Sequence, residues 1–273
     1  MQAVRLAFVG GGNMAYSLIG GLLASGRQAG DIIVADPDGS RRQLLQERFG
    51  IHVTDDNAAA AAGADVVIVA TKPQVLRSAL ATLGPVAAGT LILSVAAGIR
   101  SNDIRHWLGG HGAIVRAMPN TPALIGCGVT ALHASVGTSE SQRELAEGIM
   151  RAAGAVVWVA DEDMLDPVTA LSGSGPAYFF LLIETMIRTG IELGLEPAAA
   201  TLLAEETAIG AARMALESED DIAELRRRVT SPGGTTAAAV EAMEEAGVPA
   251  GLASGLRAAS ARSARLARDF GSD

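Results

Sequence analysis

The sequence predicts an α/β fold: an N-terminal, Rossmann-like doubly wound sheet followed by an all-α C-terminal domain. Three observations predict it. Short β-branched runs alternate with helix-compatible segments through residues 1–160, the pattern of a parallel sheet covered on both faces. Beyond Asp161 the strand signal stops and apolar residues recur at helical spacing. A Gly-x-Gly-x-x-Ala pattern, Gly10, Gly12 and Ala15, lies between the first strand and the first helix. The expected domains are therefore 1–160 and 161–273.

In chain order, strands are expected at Leu6–Val9, Ile32–Ala35, Val66–Ala70, Leu91–Val95, Ile114–Ala117 and Val156–Val159. The first helix is expected over Met14–Leu23. In the second half, Ala177–Leu195, Ala198–Leu216 and Leu252–Phe270 carry the helical period, within four or five helices in all. Pro176 and Pro197 suit first helical turns, Gly194 suits a helix end, and Gly247–Pro249 separates the last two helices. So much Ala-, Leu- and Met-rich helix exposes more apolar surface than a loose appendage can hide. Burial against a second copy in a homodimer is expected, with a self-contained bundle as the alternative.

Composition narrows the function. The 273 residues are 49% hydrophobic and 19% charged, with a net charge of -9, which fits a packed globular protein. Residues 1–160 hold 12 basic and 11 acidic residues, against 9 and 19 in 161–273, and no run mixes basic with aromatic residues. A nucleic-acid surface is not expected, and a small-molecule partner is. Cys127 is the single cysteine, so neither an internal disulfide nor a cysteine metal cluster can form. The start of the chain has no signal-peptide order, and Tyr178–Ile187, interrupted by Glu184, falls short of the roughly 20 apolar residues of a membrane span. The expectation is a cytoplasmic protein with no membrane partner.

The chemistry-bearing residues follow from these elements. In the glycine pattern, Gly10 permits a tight turn, Gly12 lets backbone approach a pyrophosphate, and Ala15 lets the helix pack on its strand. Asp36, ending the second strand, stands where a carboxylate meets an adenosine ribose and favours NAD, yet Ser40, Arg41 and Arg42 follow within reach of a 2′-phosphate. An ordinary turn at Asp36–Gly39 is the other reading. Lys72 is the only lysine, placed in Ala70-Thr71-Lys72-Pro73 after a buried strand, where open α/β sheets bind ligands. Leu171–Ala177 and Val229–Thr236 are dense in glycine and hydroxyls before helices, fit either to bind an anion or to cap. His52, His106, His111 and His133 stand apart and form no catalytic pattern, and no metal site is expected. A nicotinamide enzyme lacking an evident acid or base suits hydride addition to an already protonated imine.

Five segments in this order resemble the pyrroline-5-carboxylate reductase family, which performs the last step of proline synthesis: Phe8–Ala15, Ala70–Gln74, Arg116–Pro122, Ala170–Tyr178 and Ser231–Thr236. The resemblance implies reduction of 1-pyrroline-5-carboxylate to L-proline with NADPH or NADH as cofactor. It implies that Gly12, Asn13 and Met14 meet the pyrophosphate in a cofactor-binding loop that Gly10 opens, Asp36 the adenosine ribose, and Asn57 the cofactor, with Ala70, Lys72 and Pro73 lining its nicotinamide half. Ser231, Gly233, Gly234 and Thr235 would grip the substrate carboxylate, and Thr236 would bond the ring nitrogen as the catalytic residue. The family commonly carries a neutral residue at the position of Asp36 and prefers NADPH, so this chain's nucleotide preference stays open. Thr71 stands where valine is common. The resemblance further implies a homodimer through the helical domain, within a larger ring described by a decamer, and a substrate held between one chain's nicotinamide and its neighbour's loop. The alternatives are a 3-hydroxy acid dehydrogenase, which needs a lysine base that the helical half lacks, and a non-catalytic NAD(P)-binding redox sensor.

Overall fold

The computed structural model describes residues 4–271. Its strands are β1 (Leu6–Val9), β2 (Ile32–Ala35), β3 (His52–Thr54), β4 (Val66–Val69), β5 (Leu91–Ser94), β6 (Ile114–Met118), β7 (Gly128–Ala134) and β8 (Gly154–Trp158). They form one sheet in the order β3-β2-β1-β4-β5-β6-β7-β8. All neighbours are parallel except β6 and β7. The helices are α1 (Asn13–Ala24), α2 (Gly39–Phe49), α3 (Asn57–Ala61), α4 (Pro73–Ala81), α5 (Ser101–Trp107), α6 (Glu140–Arg151), α7 (Leu165–Val168), α8 (Gly175–Glu192), α9 (Pro197–Glu217), α10 (Ile222–Arg228), α11 (Thr235–Glu245) and α12 (Val248–Gly271).

Strands β1, β2, β4 and β5 are apolar on both faces because helices cover both. Leu6, Phe8, Ile68 and Leu93 join one core with α1, whereas Ala7, Val9, Val67 and Ile92 join a second with α4 and α5. Six strands thus reproduce the 3-2-1-4-5-6 order of dinucleotide-binding sheets, with the strand order reversing between β1 and β4. Two strands were not legible. β3 is three half-exposed residues at a sheet edge, and β7 opens on glycine and mixes polar with apolar residues. β7 runs antiparallel because residues 119–127 turn the chain back without a crossover helix.

The chain divides into two compact units: one up to Ser174 plus everything from Ala258 onward, the other Gly175–Arg257. This division differs from the boundary expected between 160 and 161. The last turns of α12 belong with the sheet, since Ser263 and Ala267 are buried there and Leu266 approaches Gly98. An uninterrupted helical period gave no sign of that reassignment. Within the first unit, Ser263 Oγ donates to Asp166 Oδ1 at 2.7 Å, and Arg100 donates to Asp166 Oδ2 at 2.8 Å. Arg116, 5% exposed, pairs with Glu162 at 3.0 Å, and the same Glu162 oxygen accepts from Ser101 N–H and Oγ at 2.7 and 2.8 Å.

The second unit is helical. α8 and α9 form a hairpin closed by Gly194 at φ 101° and restarted by Pro197 at the first turn of α9, with small Gly190 facing Ala200. Helical residues run from 162 to 192 almost without a break, because Leu171–Ala177, expected as an anion-binding or capping segment ahead of a helix, continues a π-helical turn at Thr169–Gly173 into α8. That run of 31 residues meets the length and composition of a membrane-crossing helix. Its first turns, however, carry Glu162, Asp163 and Asp166, which are tied to Arg116 and Arg100 in the first unit.

Candidate active site

Ligands in open α/β sheets sit outside the carboxyl ends of the strands where the order reverses, and here that point lies between β1 and β4. Gly10 and Ala70 follow those two strands and touch. Ala70 N–H donates to the Val9 carbonyl at 2.8 Å, and a Cβ on Gly10 would lie 2.8 Å from the Ala70 carbonyl oxygen. Gly10 also takes φ 98°, a left-handed conformation that side chains oppose. Gly12 then caps α1, and a Cβ there would meet no heavy atom within 4 Å. The open space in front of an N-terminus of a twelve-residue helix, rimmed by backbone amides, suits a pyrophosphate.

Asp36 does more than end β2. Its Oδ2 accepts from the Gly11 N–H at 2.6 Å and its Oδ1 from the Asp38 N–H at 2.8 Å, so the carboxylate braces the glycine turn. Arg41 donates to Asn13 Oδ1 at 2.6 Å, and Arg42 donates to the Asp36 and Pro37 carbonyls at 2.6 and 3.1 Å. Neither arginine is simply solvated, and Arg41 lies beside the proposed pyrophosphate loop. Asp38 caps α2 through the Ser40 N–H and hydroxyl, and hydrogen bonds from Ser40 hold its carboxyl below the usual range.

Lys72 is exposed and caps α4 with its backbone, with Pro73 at the first helical position. It makes no ion pair among the described residues. Beside it, Thr71 Oγ1 is buried without a hydrogen-bond partner, against Gly10, an orphaned hydroxyl next to the loop. These residues therefore fit a dinucleotide: a glycine cradle that a side chain would fill, a helix N-terminus, a ribose-level carboxylate and an unused hydroxyl. Asn57 is placed differently. Its Nδ2 donates to Thr82 Oγ1 at 2.8 Å and the Ala79 carbonyl at 3.4 Å, tying α3 to the end of α4. Only its oxygen is left without a bond among the described residues.

The substrate-loop candidates lie in the second unit. Gly233 takes φ 70°, the Gly234 N–H donates to the Ser231 carbonyl at 3.0 Å, and Gly234 caps α11 with no side-chain bond. Hydroxyl capping, the other reading of this segment, is thus absent. Ser231, Thr235 and Thr236 are exposed, and their hydroxyls make no hydrogen bond among the described residues. Three exposed hydroxyls and the first amides of an eleven-residue helix thus share one turn, a combination suited to an anion. No group of three His, Cys, Asp or Glu side chains able to hold a metal ion occurs among the described residues. Asn120, inside the quoted segment Arg116–Pro122 but given no role by sequence reasoning, is nearly buried and bonds Ser172 and Val129.

Residues 162–266 match a family model described as pyrroline-5-carboxylate reductase dimerisation, and residues 5–98 match one described as NADP oxidoreductase coenzyme F420-dependent. A pyrroline-5-carboxylate reductase of Pseudomonas aeruginosa is 47% identical over 272 residues, covering 99% of this chain and 100% of the relative. The chain belongs to the pyrroline-5-carboxylate reductase family. Among solved structures, a pyrroline-5-carboxylate reductase from Coxiella burnetii superposes with TM-score 0.90 at 41% identity, covering 97% of this chain and 99% of that one. The Plasmodium falciparum pyrroline carboxylate reductase, solved with NADP bound, gives TM-score 0.88 at 25% identity over 98% and 99% of the two chains. As a pyrroline-5-carboxylate reductase, the protein is an NAD(P)H-dependent oxidoreductase and a homo-oligomer acting on a small molecule.

Proposed function

We propose that the reductase site is shared between two chains, the glycine loop and Ala70–Pro73 coming from one and the Ser231–Thr236 turn from its partner. The protein reduces 1-pyrroline-5-carboxylate to L-proline, closing proline biosynthesis. When bound, reduced nicotinamide supplies the hydride that goes to the imine carbon. The chain's own residues do the rest. Gly10, Gly12, Asn13 and Met14 hold the pyrophosphate at the start of α1, Asp36 meets the adenosine ribose, Asn57 offers its oxygen to the cofactor, and Ala70, Lys72 and Pro73 line the nicotinamide half. Ser231, Gly233, Gly234 and Thr235 clasp the carboxylate, and Thr236 Oγ hydrogen-bonds the ring nitrogen as it changes from iminium to amine. A protonated imine needs no strong general acid, so catalysis rests on orientation and on excluding water.

The observation that carries this reading is the Ser231–Thr236 turn, whose hydroxyls and helix N-terminus have no internal use. The functional division is placed at 160/161, supported by the dimerisation model that starts at 162. A ring of five dimers in the cytoplasm completes the proposal, in keeping with a small biosynthetic substrate. The apolar face of α8 is covered by a second copy and not by a bilayer, which the charged residues Glu184, Arg188 and Glu192 along it favour. The test is Thr236→Ala assayed by NADPH oxidation with pyrroline-5-carboxylate. Turnover should fall at least about tenfold while NADPH still binds, the scale of one lost transition-state hydrogen bond; wild-type turnover would remove Thr236 from the mechanism.

A further inference from the structure

Two segments quoted above, Arg116–Pro122 and Ala170–Tyr178, have no task in that mechanism, and they meet at one side chain. Asn120 is 9% exposed. Its Nδ2 donates to the Ser172 carbonyl at 3.2 Å, and its Oδ1 accepts from the Val129 N–H at 3.0 Å. Helix geometry explains why Ser172 needs an outside donor. The α-helical partner of its carbonyl is the N–H four residues on, and residue 176 is proline, which has none. Just before it the helix has already widened: the Ser174 N–H reaches back five residues to the Thr169 carbonyl at 2.8 Å, within the π turn Thr169–Gly173. Single π turns inside α-helices are frequent at functional sites.

The place of this contact in the sheet matters as much as its chemistry. Asn120 lies two residues past the end of β6, which runs parallel to β5, and β5 runs parallel to β4. It therefore stands at the same carboxyl edge as Gly10 and Ala70, where ligands bind. An asparagine is suited to the task, since one neutral amide gives a donor to Ser172 and an acceptor to Val129 together.

We propose that Asn120 is a positioning residue for the reduction: it fixes the backbone turn Ser172–Ser174 at the ligand-bearing edge of the sheet by replacing the hydrogen bond that Pro176 cannot make. The proposal rests on the reductase reading. Asn120→Asp keeps the acceptor for Val129 but sets a carboxylate oxygen against the Ser172 carbonyl, so the turn loses its donor. Pro176→Ala supplies an N–H that can serve Ser172 from within the helix.

The experiment compares the full-length wild type, Asn120→Asp, Pro176→Ala and the double variant by three readouts. These are NADPH affinity, kcat and KM for pyrroline-5-carboxylate, and hydrogen exchange over residues 171–177. Asn120→Asp should bind NADPH within about twofold of wild type, lose about tenfold in kcat/KM for the imino acid, and exchange faster over 171–177. Adding Pro176→Ala should recover more than half of the lost activity on a logarithmic scale and slow the exchange again. A purely structural contact would instead weaken NADPH binding in step and show no rescue by Pro176→Ala. Kinetics and exchange of Asn120→Asp within twofold of wild type, or a loss that Pro176→Ala leaves untouched, overturn the proposal. If Asn120→Asp does not fold, Asn120→Ala with the same rescue decides it. Should the wild type fail to reduce the imino acid, the reductase reading falls, while the exchange comparison still decides the role of Asn120.

Discussion

In the first unit Phe8, Leu18, Ile68 and Leu93 are fully buried, whereas in the second Phe179, Phe180 and Leu181 are 62, 65 and 65% exposed. Among the described residues of the second unit only Gly175, Ala200 and Ala204 are buried. One unit builds its own core from a sheet covered on both faces. The other is a set of helices whose apolar faces have nothing of their own to pack on, and Phe180, Ile183, Ile187 and Ile191 run down a single side of α8. Each such side chain forgoes about 1.5–3 kcal/mol while exposed, so the second unit is complete only in an assembly. The difference teaches that the sheet supplies a cofactor platform by itself, whereas the helical unit depends on association.

The sharpest way to break this comparison is Phe180→Asp. A charge on a face that a second copy covers should dissociate the oligomer and lower activity by at least about a hundredfold, while the sheet stays folded. Light scattering gives the mass and circular dichroism the fold; an intact, active oligomer would show that this face is free.

The first unit is probed through its buried ion pair. Burial alone would raise the Glu162 carboxyl, but the Arg116 guanidinium and the bonds from Ser101 outweigh it and hold it below the usual range. A depressed carboxyl adds stability that is present above its unfolded pKa and is lost as pH falls through that value towards the folded one. Melting temperature should therefore drop in acid, and Glu162→Gln should remove part of that drop while costing about 3 kcal/mol at neutral pH, because Arg116 is left buried and unpaired. Burial lowers the Arg116 pKa, but a guanidinium remains charged at neutral pH. An acid limb unchanged by Glu162→Gln would contradict the assignment.

How much of this could be read in advance differs between the same two regions. Leu6–Val9 and Ile32–Ala35 came out residue for residue, since β-branched runs bounded by glycine or aspartate leave little choice. The glycine loop and its helix were equally plain. His52–Thr54 was missed because three half-exposed residues carry no period, and the Ser-Gly-Ser-Gly-Pro segment was misread because its turn residues sit inside a helix. The Ser172 carbonyl, which Pro176 cannot serve, takes its donor from Asn120, 52 residues earlier, a long-range partner that local pattern cannot announce. The Ser231–Thr236 turn was legible as a hydroxyl-rich helix start. That no side chain caps α11 could be seen only in the structure.

The smallest expected effect concerns the nucleotide. Asp36→Ser removes a negative charge facing any 2′-phosphate, and Arg41 and Arg42 remain close by. The kcat/KM ratio of NADPH to NADH should rise severalfold, about 1 kcal/mol of relieved repulsion. Since Asp36 also braces Gly11, both nucleotides should bind somewhat less tightly; an unchanged ratio would leave Asp36 with the bracing role alone.

The claim that one chain's glycine loop works with its partner's Ser231–Thr236 turn is tested most directly by complementation. Gly12→Asp blocks the pyrophosphate without crowding its surroundings, and Thr236→Ala disables the turn, so each variant alone should keep at most about a tenth of wild-type activity. Co-expressed and randomly paired, half of the dimers are mixed and hold one intact site, so about a quarter of wild-type activity should return. Activity no higher than the sum of the two variants apart would place both halves of the site on a single chain.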